Sequence, residues 1–144
     1  MRSKANKQPT ETQSLVTPSL TLPRGREYDP WEHAEALDIP VYVRRLRSAN
    51  GIYFREYGEI ILSDRLRKGD QRLTLSHELG HVELLHQDDR PKHEIQADRF
   101  AARNLICPDE LADLYEWCPD ERKIVAELGV TTRLFRAYVL SHAA

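Results

Sequence analysis

Cysteine is scarce in this chain of 144 residues: Cys107 and Cys118 are the only two, and no CxxC pairs them. That excludes a secreted disulfide framework and argues against a cysteine-rich metal cluster, and reduced thiols fit a cytoplasmic protein. Long hydrophobic runs are missing as well. No stretch reaches the roughly 18 apolar residues of a membrane span. Residues 1–26 hold no apolar segment of the length a secretory signal needs, the best being the broken Leu15-Val16-Thr17-Pro18-Ser19-Leu20. Nor does one sign of charge dominate. Lys plus Arg number 21 against 23 Asp plus Glu, and the net charge of −2 gives no general attraction to nucleic acid or a membrane surface.

The charge that is present is unevenly placed. Arg2, Lys4, Lys7, Arg24 and Arg26 stand against Glu11 alone, a local charge of +4 that leaves −6 on residues 27–144. Residues 1–26 are rich in Thr, Ser, Gln and Pro and lack apolar periodicity, so they cannot offset the cost of ordering a backbone, about 1–2 kcal/mol per residue. They are expected to be a disordered basic arm. Residues 27–144 are expected to form one domain with one modest core.

Within that domain the pattern is α, then β, then α throughout. Asp29-Pro30 reads as an N-cap and first helical residue, with Trp31, Ala34 and Leu37 on one face. Ile39 to Val43 has strand composition, and Ile52 to Ser63 reads as a hairpin about Tyr57-Gly58. From Arg72 to about His86, Leu75, Leu79 and Val82 follow helical spacing; Lys92 to Ile106 forms a second helix ending near Pro108. Three shorter helices are expected over Pro108 to Trp117, Pro119 to Leu128 and Thr131 to Leu140, the middle one stopped by Gly129. The fold class is therefore α+β: an N-terminal helix, a small antiparallel β-sheet and a helical bundle.

The sharpest signal is His77-Glu78-Leu79-Gly80-His81. With six histidines in the chain, composition alone gives roughly 0.02 expected HExxH matches. On a helix the two imidazoles lie about 40° apart, so both can reach one ion about 2.0–2.1 Å from each nitrogen. Glu78, on the flank of that face, is placed to take a proton from water activated by the ion. Leu75, Leu79 and Val82 lie opposite and face the core.

Such a site needs a third protein ligand and an open position. Glu94 fills that role best: on the second helix it shares one stripe with Asp98, Ala101 and Leu105, and Ala97 and Ala101 allow close approach to the first helix. Asp98, one turn beyond Glu94, is placed to accept the outer N–H of a liganding histidine. His86 lies 180° from His77 on the same helix, among Leu75, Leu79 and Val82, and is expected to point away from the ion as a packed or capping residue. A metzincin would need Gly at 83 and His at 87, where this chain has Glu83 and Gln87. His93 is a minor candidate for a substrate contact. Two imidazoles, one carboxylate and an open position suit Zn²⁺, with Mn²⁺ also compatible. Tyr53, Tyr57 and Tyr115 are candidate donors to an oxyanion, and the 52–63 hairpin is a candidate edge for an extended peptide.

His77 to His86, followed by Glu94-Ile95-Gln96-Ala97-Asp98-Arg99-Phe100-Ala101 and the run to Pro108, resembles the core of the ImmA/IrrE family of metallopeptidases. The likeness extends from about Trp31 to Leu140, and Ile106-Cys107 departs from the more usual Leu-Met before the proline. It implies a gluzincin-like zinc site with ligands at His77, His81 and Glu94 and the acid/base at Glu78. It also implies a substrate: a helix-turn-helix repressor of a phage, mobile element or stress regulon. The alternatives are a non-catalytic repressor-binding protein and a DNA-binding regulator, the latter because residues 119–144 have a helix-turn-helix pattern around Gly129. That segment carries a net charge of only +1, too little for the phosphate contacts that dominate DNA affinity, so direct nucleic-acid binding is not expected.

Overall fold

Asp29 starts the first helix with its own side chain, which accepts hydrogen bonds from the backbone N–H groups of Trp31 (2.9 Å) and Glu32 (3.3 Å) ahead of Pro30. A computed structural model describes residues 22–142. The first helix, α1 (Pro30–Ala36), leads to three strands, β1 (Val41–Arg44), β2 (Gly51–Phe54) and β3 (Glu59–Ser63). Five helices follow: α2 (Lys68–Glu83), α3 (Pro91–Leu105), α4 (Pro108–Trp117), α5 (Glu121–Leu128) and α6 (Thr132–Ser141).

The hairpin is antiparallel, with Ile52 opposite Ile61 and Tyr53 opposite Ile60. β1 pairs with the other side of β3 and runs parallel to it, Val41 opposite Ile60, so the sheet is mixed, in the order β1-β3-β2. Strand composition carries no information about which edge a segment joins, and a parallel neighbour reads like an antiparallel one. β3 alternates as a central strand should: Ile60 and Leu62 are fully buried against Ala34, Leu75 and Leu79.

A second cluster joins the remaining helices. Ala101, Ala102 and Leu105 of α3 pack with Leu111, Ile124, Leu128, Leu134, Phe135 and Tyr138. Asp120 and Thr131 cap α5 and α6 by accepting from Arg122 N–H and Leu134 N–H, and Gly129 closes α5 at a left-handed φ of 72°. The two helices bury their apolar stripes in the core.

Residues 1–21 of the expected arm lie outside the described residues. Its last part, 22–26, runs against the body instead: Leu22 packs on the second cluster, the Arg24 Nε donates to the Arg103 carbonyl (2.6 Å), and Arg26 pairs with Glu110. These cations meet helix-end carbonyls and a carboxylate that are distant in sequence, which a local reading of composition cannot supply. Tyr28, 1% exposed, then anchors the chain by donating to Nδ1 of His33 (2.6 Å), whose Nε2 donates to Glu83 (2.8 Å). No helix among the described residues is long and apolar enough to cross a membrane.

Candidate metal centre

α2 and α3 meet at a glycine. A Cβ on Gly80 would lie 3.0 Å from both Cα and O of Ala97, so the helices approach backbone to backbone, with His77 and His81 on one side of the contact and Glu94 and Asp98 on the other. The side chains of His77, His81 and Glu94 converge there, their ligand atoms all within 4.8 Å of one another. One Glu94 oxygen, Oε1, lies 2.7 Å from His77 Nε2 and 2.9 Å from His81 Nε2.

The outer ring atoms settle what those nitrogens present. His77 Nδ1 lies 2.8 Å from Asp98 Oδ1 and donates to that carboxylate, which leaves the Nε2 lone pair of the neutral ring facing Glu94. His86 Nε2 donates to Gln96 Oε1 (2.8 Å), so its Nδ1 accepts, and the donor across the 2.9 Å contact is His81 Nδ1. The His81 Nε2 lone pair therefore also faces Glu94. Two imidazole lone pairs and a carboxylate oxygen aimed at one point repel one another unless a proton or a cation lies between them. This donor set fits a divalent ion of the zinc type.

Glu78 is 9% exposed beside this point. Burial is the chief cause that lifts its pKa to about 7, Glu94 and Asp89 add to it, and the charge of His77 opposes. For His77, burial works against the charged ring, but the Asp98 bond, the Glu78 and Asp98 charges and the Glu94 bond outweigh it and raise the pKa to about 9. His81 is lowered, first by burial, with His77 acting in the same direction.

His86 stands where the wheel reading did not put it. α2 ends at Glu83, and the chain reverses through Leu85, a non-glycine residue at φ 57°, with His86 N–H bonded to the His81 carbonyl (3.0 Å) and Leu85 N–H to that of Val82 (3.2 Å). This Schellman closure swings His86, 5% exposed, back against His81. A glycine at 85 would have announced it; leucine did not. His93 stacks on His86 at 4.1 Å between centroids and bonds Asp88 (2.8 Å), so it sits behind the ligands.

Three other residues escaped the sequence reading. Arg55, at the end of β2, donates to the carbonyls of His86 (2.8 Å) and Asp88 (3.2 Å) and to Asp89 Oδ1 (2.8 Å), pinning the loop that holds His86. Arg133 of α6 reaches Asp98 Oδ2 at 3.1 Å, tying the C-terminal helices to the His77 support. A Cβ on Gly51, at the start of β2, would lie 3.5 Å from Glu78 Cγ, so this edge strand borders Glu78. The tyrosines have no such placement: among the described residues no side-chain bond joins Tyr53, Tyr57 or Tyr115 to the site, and Tyr57 and Tyr115 are exposed.

A family model described as the IrrE N-terminal-like domain, of a peptidase family, matches residues 34–137. A comparison with curated proteins found no match.

Proposed function

The chain belongs to the IrrE N-terminal-like peptidases of the ImmA/IrrE family, and on that premise we propose that it is a zinc-dependent endopeptidase acting on a helix-turn-helix repressor in the cytoplasm. The observation that carries the metal reading is the convergence of His77 Nε2 and His81 Nε2 on one Glu94 oxygen, with both outer nitrogens donating elsewhere. A divalent cation held by these three side chains would activate a water and polarise the scissile carbonyl. Zn²⁺ suits the donors best, and Mn²⁺ is compatible.

The chain's own groups supply the rest. Glu78 takes a proton from the attacking water and returns it to the departing amine, and its burial beside the ligands favours the protonated carboxyl from which that proton is returned. Asp98 and His86 keep the two rings in the tautomer that presents Nε2. The free edge of β2 lies beside Glu78 and can pair with an extended substrate segment. For a DNA-binding reading of residues 119–144, Arg133 and Arg136 are already engaged by Asp98 and Glu121.

The test is incubation of the pure protein with the repressor encoded beside it, with zinc or with a chelator, and with Glu78→Gln in parallel. Cleavage that needs zinc and disappears in the variant supports the proposal. Repressor binding with no cleavage at any metal loading, or a shift of operator DNA by this protein alone, overturns it in favour of a regulator without hydrolysis.

A further inference from the structure

α3 has a second face. Lys92, Gln96, Arg99 and Arg103 recur at i, i+4, i+7 and i+11 and lie within about 60° of one another, away from the side that carries Glu94 and Asp98. This stripe, with His93 and Phe100 of the same helix, forms one wall of a cleft of about 520 Å³ whose other wall is the turn after α2: Leu84, the exposed Leu85 and His86. No acidic side chain lines it.

The cations of the stripe share one cleft with no carboxylate in its lining, although other described cations such as Arg44, Arg47 and Arg67 also lack an ion pair. Arg26, Arg55, Arg90, Arg133 and Arg136 are each held by a carboxylate, whereas among the described residues Lys92, Arg99 and Arg103 form no ion pair. Arg99 also keeps a buried Nε with no hydrogen-bond partner, a group that native folds rarely leave unsatisfied. Its guanidinium is short of acceptors.

We propose that this cleft is a docking groove for an acidic polypeptide segment with apolar residues interspersed, a binding function distinct from the hydrolysis proposed above, with His86 and Gln96, which orient His81, in its wall. Charge and surface chemistry select that occupant. Unpaired cations face an apolar wall, so the complement is carboxylates alternating with apolar side chains. Lys92 to Arg103 spans about 16 Å of helix, the reach of roughly five extended residues. The chain's own residues 1–21 have the wrong sign, with Arg2, Lys4 and Lys7 against Glu11. A duplex would meet only these few cations, an apolar wall and a body of negative net charge.

The experiment is fluorescence anisotropy of a labelled peptide of alternating Glu and Leu, with Gln-Leu and Lys-Leu peptides beside it. It uses the full chain carrying Glu78→Gln, so that cleavage does not consume the probe. The Glu-Leu peptide should bind, more weakly as salt rises, and about tenfold or more weakly in Lys92→Glu/Arg103→Glu. Arg99→Gln should weaken it too, with circular dichroism and zinc content unchanged in both variants. Equal binding of the Gln-Leu peptide, indifference to the variants, tighter binding of a DNA duplex at this stripe, or salt-sensitive self-association abolished by the double variant would each overturn the assignment. Because binding is the readout, a failure here leaves the peptidase reading standing, and failure of that reading leaves this one standing.

Discussion

Gly80→Ala should separate two opposing effects on one helix. Alanine is the better helix former by about 1 kcal/mol, and with that effect alone the variant gains stability. The added Cβ, however, would lie 3.0 Å from Cα and O of Ala97 and 3.2 Å from its Cβ, against the roughly 3.5–4.0 Å of favourable carbon contact. The first two are backbone atoms, so α3 must recede by about half an ångström; overpacking of this kind costs about 1–3 kcal/mol. The expected sum is a loss of up to about 2 kcal/mol in the metal-free protein. The retreat also moves Glu94 from His77 and His81, now 2.7 and 2.9 Å from its Oε1, by a distance that is a quarter of a metal–nitrogen bond of about 2.0 Å. Zinc affinity should therefore fall about tenfold or more, measured by competition with a chromophoric chelator alongside chemical denaturation. Gly69→Ala is the control on the same helix: nothing lies within 4 Å of its added Cβ, so propensity alone should act, adding at most about 1 kcal/mol. A Gly80→Ala protein that is more stable than wild type with unchanged zinc affinity would refute the close crossing as the determinant of the site.

Other perturbations read the same site from different sides. His86→Ala removes the acceptor of His81 Nδ1–H and the donor to Gln96; it should cost about 1–3 kcal/mol in denaturant melts and weaken zinc binding about 10–100-fold in chelator competition. Asp98→Asn keeps an acceptor for His77 but removes the charge and the Arg133 partner, so zinc affinity should fall within the same range with a smaller loss of stability. In the metal-free protein Glu78 is raised to about 7 and His77 to about 9. Both folded-state groups hold protons that the unfolded chain has released, so their own contribution to stability is greatest at low pH and declines as pH rises from about 4.5 through 7 for Glu78 and from about 6.5 through 9 for His77, while His81, which is lowered, acts the opposite way below about 6.5. In thermal melts of metal-free protein the destabilisation that accompanies rising pH should be smaller in Glu78→Gln than in wild type between about pH 4.5 and 7. Zinc-loaded protein should show the opposite trend below neutrality, because its ligands bind deprotonated.

The chain by itself determined what depends on neighbours within a turn or two. Asp29 and Pro30 start α1, Gly129 stops α5, and Leu75 and Leu79 fix which side of α2 is buried, which leaves His77 and His81 together on another. The pairing of Glu94 with Asp98 is likewise a property of one helix. Tertiary structure decided what depends on groups far apart in sequence. Only the packed molecule shows that β1 joins β3 in parallel, that Arg24 and Arg26 lie on the body, and that Arg133 braces Asp98. His86 marks the boundary between the two. Its place follows from where α2 ends, and that ending is a left-handed leucine, a conformation glycine adopts without strain and other side chains adopt only when their surroundings hold them there. Local spacing sets which atoms a helix can offer. The contacts between elements set which of them meet: the small side chain of Ala97 marks a face of α3 that can be approached closely, but that Gly80 is what closes on it is decided only by the packing.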